Sequence, residues 1–326
     1  MVNWALFADR VEEHVGIRTS ISCPFSCAFC GFPRHAGKYQ TAAVDKIKAE
    51  LDGLAQIKSI TGVNFIDDTF NVPAKRFKEI LRMMIKNKYQ FQWNSHFRCQ
   101  FADKEMVELM KESGCEGVFL GIESGNDEIL KNMNKVASAD KYFKGISLLK
   151  EYEILTFGSF IIGFPGETAE TVRDTSRFIE KSGLDFYRAQ PWYCDTITPI
   201  WEQKEEYRIK GSQFEWSHHT MSAQQACDLI DRAFLTIEKP LWVPQYNFEF
   251  EAIFHLLHRG ITLEQVKRFI SAFNSGIKEK LPNPSREEIS FDVLKKLKAS
   301  CRKSGEPDKE LEEINHSDKL TADFDF

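Results

Sequence analysis

The sequence predicts an α/β protein: a partial (β/α)6 TIM-like barrel followed by a helical C-terminal extension. Short β-rich runs alternate strictly with helical stretches from Ile17 to about Gln190, which is the pattern of a parallel sheet. Beyond Pro191 the alternation stops, and longer helical stretches follow an aromatic loop region. Polar residues cluster at the predicted strand ends, where barrel proteins carry their reacting groups.

Six βα units indicate an open barrel, incomplete relative to the eight-unit fold. The predicted strands are residues 17–22, 62–67, 91–97, 117–122, 155–162 and 184–190. The predicted helices between them are residues 43–57, 73–87, 103–113, 139–152 and 167–182. Pro73 suits the start of its helix, because proline is favoured in the first helical turn.

Changes in composition divide the chain into three parts. Residues 1–191 form the predicted barrel, and residues 192–302 form the aromatic loop and the helical extension. Helices are expected in this extension at residues 222–238, 248–275 and 285–302. Residues 303–326 are rich in acidic residues and poor in apolar ones, so we expect a mobile tail.

Composition excludes several classes of protein. The 326 residues include 43 Lys+Arg and 48 Asp+Glu, a net charge of −5, which argues against nucleic acid as a partner. Hydrophobic residues at 42% and charged residues at 28% are ordinary for a globular protein. No apolar run is long enough to span a membrane, and the first residues lack the pattern of a signal peptide. We therefore expect a cytoplasmic protein without a membrane partner.

Three closely spaced cysteines are the strongest chemical signal in the chain. Cys23, Cys27 and Cys30 have the spacing C-x3-C-x2-C and directly follow the first predicted strand. Cysteine thiolates favour zinc or an iron-sulfur cluster. Closed structural zinc sites normally take four protein ligands, whereas three thiolates leave one iron of a four-iron cluster open. Structural zinc and a chance grouping of buried cysteines are the alternatives.

This spacing at the start of a six-unit βα chain resembles the radical S-adenosylmethionine (SAM) superfamily. The resemblance implies that Cys23, Cys27 and Cys30 hold a 4Fe-4S cluster, whose open iron binds the amino and carboxylate groups of SAM. It also implies reductive cleavage of SAM to a 5′-deoxyadenosyl radical. Phe29 occupies the aromatic position before the third cysteine, which implies contact with the adenine of SAM.

Two further strand ends carry charged residues that match the resemblance. Asp67 and Asp68 follow the second predicted strand, where a carboxylate would bind the SAM ammonium group. The sequence does not decide which of the two faces inward, and Asp68 could instead cap a helix. Ser95 and Arg98 end the third strand, and the Arg98 guanidinium could pair with the SAM carboxylate. A surface ion pair is the alternative for Arg98.

The fourth and fifth strands end in segments that fit the same family. The resemblance places Glu123 and Ser124 beside the ribose and methionine parts of SAM, and the backbone at Ile162 against adenine. Glu123 could instead support a helix N-terminus. The resemblance covers residues 17–190 and depends on all five segments occurring in order at strand ends.

The other cysteines are scattered and predict no second cluster. Cys194 is of interest because it follows the sixth predicted strand, at the expected mouth of the barrel. A thiol there could return a hydrogen atom to a substrate radical, which makes Cys194 a candidate catalytic residue. The alternative is a packed thiol in an aromatic loop.

The resemblance implies an enzyme that abstracts hydrogen from a substrate with the help of an external electron donor. We favour a ribosomally synthesised peptide as substrate, modified by epimerisation, cross-linking or backbone excision, with a small leader-recognition protein as partner. One alternative is a radical SAM methyltransferase that uses cobalamin supplied from elsewhere, because only 16 residues precede Ile17. A second alternative, outside the enzymes, is an iron-sulfur electron-transfer or scaffold protein.

Overall fold

The computed structural model describes residues 2–243 and 249–301. The strands are β1 (His14–Ile17), β2 (Ser20–Ile21), β3 (Gln40–Thr41), β4 (Gly62–Phe65), β5 (Gln92–Phe97), β6 (Cys115–Glu123), β7 (Leu155–Ile162), β8 (Phe186–Pro191), β9 (Lys210–Ser212), β10 (Glu215–Ser217) and β11 (Leu241–Trp242). The helices are α1 (Phe32–Ala36), α2 (Val44–Leu54), α3 (Ala74–Asn87), α4 (Lys104–Glu112), α5 (Asp127–Asn132), α6 (Ala139–Glu151), α7 (Ala169–Lys181), α8 (Ala223–Thr236), α9 (Phe250–His258), α10 (Leu263–Lys280) and α11 (Phe291–Ser300).

A parallel sheet of seven strands forms the centre of the fold. Its order is β1-β4-β5-β6-β7-β8-β11, and every neighbouring pair is parallel. The predicted α/β class and partial barrel are therefore confirmed. The seventh strand, β11, was not predicted, since two residues are too short to show a periodic pattern. It comes from the C-terminal part of the chain, which thus completes the sheet beside β8.

The strands and helices form where the apolar pattern demands burial. All eight residues of β7 are buried, as expected for a central strand of a parallel sheet covered on both faces. Helix α7 is amphipathic and begins after Thr168, whose side chain accepts a hydrogen bond from the Thr171 backbone. The predicted start of this helix at Glu167 is two residues early, and Glu167 is instead fully buried before the cap.

The first predicted strand, residues 17–22, is wrong in its position. The sheet strand β1 ends at Ile17, and Ser20–Ile21 pairs antiparallel with Gln40–Thr41 outside the sheet. The cause is Asp67, whose carboxylate accepts hydrogen bonds from the backbone N–H groups of Thr19 and Ser20. These bonds turn the chain away from β4 before it reaches the cysteines.

The predicted helix at residues 248–275 is also wrong, because two helices occupy this region. Helix α9 ends at His258, and Gly260 adopts a φ of 85° that a helix cannot contain. Thr262 then caps α10 by accepting a hydrogen bond from the Gln265 backbone. Phe248 and the predicted tail at residues 303–326 lie outside the described residues.

Helix α9 packs against the inner face of the sheet, the face that also carries Phe119. The Phe250 ring lies 5.8 Å from the ring of Phe119 and 6.0 Å from that of Phe157, measured between centroids. Phe254 contacts Gly117 so closely that a Cβ atom there would lie 2.5 Å from the ring. The C-terminal part therefore fills one end of the open barrel. No helix among the described residues is long and apolar enough to cross a membrane.

Candidate active site

The three cysteines of the motif lie in the loop between β2 and α1. All are free thiols; Cys27 is buried, and Cys23 and Cys30 are partly exposed. The Cys30 backbone N–H donates to the Cys27 carbonyl oxygen at 3.1 Å, so the last two cysteines share a tight turn. Burial is the main cause that raises the pKa of Cys30, and the neighbouring thiols raise it further.

The three thiols line a cavity of about 200 Å³ at the carboxyl ends of the strands. This cavity is where the predicted site residues can be tested for convergence. Its walls are Cys23, Phe25, Cys27, Phe29, Cys30, Phe32, Pro33, Asp68, Thr69, His96, Phe97, Arg98, Phe119, Gly121, Glu123 and Lys135. Phe29, Asp68, Arg98 and Glu123 are thus brought together with the cysteines as predicted.

The cysteine loop fits an iron-sulfur cluster better than a single ion. Within residues 2–243 and 249–301, no three His, Cys, Asp or Glu side chains are arranged to hold one metal ion. A cluster does not need such convergence, because each thiolate binds a different iron. One cationic and one neutral group also face the sulfurs. Arg98 Nη2 lies 3.3 Å from Cys27 Sγ, and Thr69 Oγ1 lies 3.5 Å from Cys23 Sγ.

Arg98 is fixed in the cavity wall by contacts on every side. Its backbone N–H donates to Asn71 Oδ1, and its carbonyl accepts from Asn71 Nδ2, both at 3.0 Å. Its guanidinium carbon lies 3.6 Å from the Phe25 ring centroid, and Nη1 donates to the Lys135 carbonyl. The surface ion pair considered as an alternative is wrong, because Arg98 is only 9% exposed. Its remaining donor capacity faces the cavity.

A buried ion pair joins Glu123 to Lys135. Lys135 Nζ lies 2.9 Å from Glu123 Oε1, and the two side chains are 5% and 10% exposed. Glu123 sits at a β-bulge at the end of β6 and has a φ of 69°, a left-handed conformation that is uncommon for a residue with a side chain. The bulge turns its carboxylate toward the cavity. The charges of Lys135 and Glu123 are therefore paired in the cavity wall, where both side chains are largely shielded from solvent.

The two aspartates after β4 have different environments. Asp67 is fully buried and accepts hydrogen bonds from four groups, the backbone N–H and the hydroxyl of both Thr19 and Ser20. It therefore holds the loop in place and does not line the cavity. Asp68 does line the cavity, and its Oδ2 is buried without a hydrogen-bond partner. Burial raises the pKa of Asp68. An unpaired carboxylate oxygen here suits an ammonium group.

Besides Asp67, three candidate side chains are not brought to the cavity: those of Ser95, Ser124 and Cys194. Ser95 points away from it because side chains alternate along a strand and His96 faces inward. The Ser124 hydroxyl lies 3.1 Å from Thr175 Oγ1 and accepts from the Asn126 N–H, so it anchors the start of α5. The Ile162 side chain packs in an apolar cluster with Phe164 and Trp192, while the expected contact of its backbone with adenine stays a prediction.

Cys194 belongs to this same apolar cluster and is not a cavity residue. It is 1% exposed, and its backbone exchanges hydrogen bonds with Gln213 at 2.9 and 2.7 Å. Burial raises the pKa of its thiol to about 11. The catalytic assignment of Cys194 is therefore corrected: the aromatic loop folds over the thiol and separates it from the cavity.

Among the cavity residues that sequence reasoning missed, Lys135 and His96 are the titratable ones. Lys135 lies in the loop after α5, where no motif or periodicity marks it. His96 lies on β5 two residues before Arg98, which directly follows the strand, and this spacing places both side chains on one face. Burial, with Arg188 nearby, lowers the pKa of His96 to about 4, so the ring is neutral at pH 7.

Comparison with known proteins agrees with this site. A family model described as the Radical SAM superfamily matches residues 17–179. An uncharacterised methyltransferase of Pyrococcus horikoshii is 33% identical over 55% of this chain and 39% of the relative. The bacteriochlorophyllide d C-12(1)-methyltransferase of Chlorobaculum tepidum is 31% identical over 65% of this chain and 46% of the relative. This chain therefore spans less than half the length of either relative.

Solved structures share the fold at low sequence identity. The methyltransferase TsrM from Kitasatospora setae, with cobalamin and a 4Fe-4S cluster bound, aligns with a TM-score of 0.56 and 17% identity over 87% of this chain and 60% of that one. The coproporphyrinogen III oxidase HemN from Escherichia coli aligns with a TM-score of 0.54 and 13% identity over 79% and 61%. The family match, which agrees with the barrel fold of this chain, shows that the chain belongs to the radical SAM superfamily, whose cofactors are a 4Fe-4S cluster and SAM.

Proposed function

We propose that this chain is a radical SAM methyltransferase that works with cobalamin bound outside the barrel described here. The observation that carries the proposal is that two relatives above 30% identity, one of Pyrococcus and one of Chlorobaculum, are named methyltransferases. The structural neighbour TsrM, also a methyltransferase, has cobalamin and a 4Fe-4S cluster bound. Methyl transfer thereby replaces hydrogen abstraction from a ribosomally synthesised peptide as the preferred reaction, since none of these names refers to a peptide.

Bound cofactors would supply reductive chemistry on SAM and a carrier for its methyl group. Within the chain, we assign the three cysteines of the motif as cluster ligands. Arg98 donates a hydrogen bond to Cys27 Sγ, and a cation beside a thiolate stabilises its negative charge. Asp68 offers an unpaired carboxylate oxygen to the ammonium group of SAM, and Phe29 offers an aromatic face to adenine. An external electron donor is the partner that this chemistry requires.

Anaerobic turnover tests the proposal. The cluster is reconstituted, and SAM and reductant are added with and without hydroxocobalamin, which the reductant converts to cob(I)alamin, the form that could accept the methyl group of SAM and leave S-adenosylhomocysteine. Both 5′-deoxyadenosine and S-adenosylhomocysteine are quantified. We expect S-adenosylhomocysteine to form only with cobalamin and to be lost in Cys27→Ala. Cys301→Ala is the matched control, since that thiol is exposed and far along the chain. Formation of 5′-deoxyadenosine alone, unaffected by cobalamin, would contradict methyl transfer and return hydrogen abstraction to first place.

A further inference from the structure

Arg188 is a cation on the inner face of the barrel that no carboxylate neutralises. It lies on β8 opposite Ser159 of β7, and its Nε donates to Ser159 Oγ at 3.4 Å, a long hydrogen bond. Its guanidinium carbon lies 5.0 Å from the ring centroid of Phe119, which lines the cavity. Among the described residues, no Asp or Glu oxygen comes within ion-pair distance of Arg188.

The two cations that line the cavity, Lys135 and Arg98, each have side-chain partners in the protein. Lys135 pairs with Glu123, and Arg98 donates to a thiol and a carbonyl. The two terminal nitrogens of Arg188, by contrast, have no acceptor in the described part of the chain. Burial lowers the pKa of Arg188, while the charges of Glu123, Glu249 and Glu251 oppose that effect without closing a pair. These two terminal nitrogens are not among the buried polar atoms that lack a partner, so they remain accessible to a ligand.

His96 is a second polar group without a partner on the same wall. Its ring lies 4.8 Å from the Phe119 ring centroid, and it lines the cavity. In residues 2–243 and 249–301, neither ring nitrogen makes a hydrogen bond. Phe119 thus lies close to both an imidazole and a guanidinium. The neutral imidazole can donate one N–H group, and the guanidinium can donate several in a planar fork.

We propose that Arg188 and His96 bind an oxyanion group, a carboxylate or a phosphate, of the substrate on the apolar floor made by Phe119. A guanidinium fork matches both groups with two parallel hydrogen bonds, and the histidine adds a third donor. His96 lines the cavity together with the cysteines, whereas Arg188 is not among its lining residues, so an oxyanion held by the pair would lie at the edge of that cavity. The assignment of the oxyanion to a substrate rests on the proposed function; the binding of an oxyanion does not.

Nuclear magnetic resonance of the holoenzyme tests the subsite without turnover. The protein is labelled with 15N and 13C in arginine, its cluster is kept oxidised, and the Arg188 signals are assigned with Arg188→Gln. Sodium acetate and inorganic phosphate are then titrated at constant ionic strength, maintained with sodium chloride. We expect a saturable shift of the Arg188 signals with at least one of the two anions. Arg177, which is exposed and paired with Asp174, is the matched control and should not respond.

Substitutions and a SAM arm separate the sources of the oxyanion. His96→Phe, followed through the Arg188 signals, should weaken the affinity of the responding anion by about tenfold, the effect of losing one hydrogen bond to a charged group. Arg188→Gln and Arg188→Lys have no Arg188 signal, so their anion affinities are measured by calorimetry, and Arg188→Lys should restore part of what Arg188→Gln loses. Acetate or phosphate binding that persists with saturating SAM supports a substrate subsite. A shift caused by SAM itself, which then blocks both anions, assigns Arg188 to the SAM carboxylate and overturns the proposal. The absence of any saturable shift overturns it as well.

If methyl transfer fails in the turnover assay while anion binding persists, only the proposed function is lost.

Discussion

Glu167 → Gln should change how the stability of this protein depends on pH. Glu167 is fully buried beneath the turn after β7, where one carboxyl oxygen accepts the Gly163 N–H and the other, Oε1, has no partner. Burial raises the pKa of Glu167 to about 8, although the two backbone hydrogen bonds at Gly163 and Phe164 oppose the rise. The carboxyl is therefore protonated in the folded protein at neutral pH and ionised in the unfolded chain.

The sign and size of the effect follow from this difference in proton binding. Between the ordinary glutamate value of 4.5 and about 8, the folded state holds one more proton than the unfolded state. The free energy of unfolding must then fall as the pH rises, by up to about 1.4 kcal/mol per pH unit. Integrated from about pH 5 to about pH 7, Glu167 alone lowers the free energy of unfolding by about 2.5 kcal/mol. Glutamine has nearly the same shape and no proton to lose, so it removes this dependence.

Urea unfolding followed by circular dichroism at several pH values measures the effect. Other buried carboxyls, Asp67 and Glu116 among them, also have raised pKa values, so the informative quantity is the difference between wild type and Glu167→Gln. We expect the variant to gain about 2.5 kcal/mol relative to wild type between about pH 5 and about pH 7. Glu170→Gln is the control for the loss of one carboxylate, because Glu170 is exposed and is the second residue of the following helix, α7. Parallel profiles for wild type and Glu167→Gln would refute the reasoning.

Three further outcomes are expected. Cys27→Ala should abolish the visible absorption of the reconstituted cluster while Cys194→Ala retains it, because only Cys27 lines the cavity; equal loss in both would contradict the assignment. Lys135→Met should lower the free energy of unfolding, measured in urea, by about 3–5 kcal/mol, since it leaves the buried Glu123 charge without a partner. Adding Glu123→Gln should recover much of that loss, and additive effects of the two substitutions would refute the ion pair. Val136→Gly should raise the melting temperature and increase the free energy of unfolding by about 1 kcal/mol, because Val136 is 59% exposed and its φ of 54° is a strained conformation for valine. A lower melting temperature would show that the valine is not strained.

The parts of the fold set by local pattern were predictable from the sequence. Strand β7 is a continuous apolar run, and the C-x3-C-x2-C spacing marks the cluster loop, so both are visible without tertiary information. Three strand-end residues, Asp68, Arg98 and Glu123, were also predictable, because the carboxyl ends of parallel strands meet at one edge. Strand β1 was misplaced since the turn after it depends on Asp67, a residue distant in sequence that accepts hydrogen bonds from Thr19 and Ser20.

The parts set by contacts distant in sequence were not predictable. Asp67 and Asp68 are chemically identical, and only the three-dimensional arrangement shows that one supports a turn and the other faces the cavity. Cys194 follows a strand end, as an active-site residue would, but its pairing with Gln213 folds the loop over it. Lys135 has its role because it reaches across to β6, and the sequence around it contains no motif for such a contact.

The loop around Lys135 explains how an unremarkable segment can organise the site. The Met133 carbonyl accepts the Ala28 N–H at 2.8 Å, and Asn134 Nδ2 donates to the Ser26 carbonyl at 2.9 Å, so two successive residues hold the cysteine loop from one side. Lys135 then accepts from Arg98 with its carbonyl and pairs with Glu123 through its side chain. One short segment thus connects the cysteine loop, β5 and β6. Because the cysteine ligands depend on such support to keep their positions, changes in this loop should alter the stability of the cluster even though none of its residues is a cysteine.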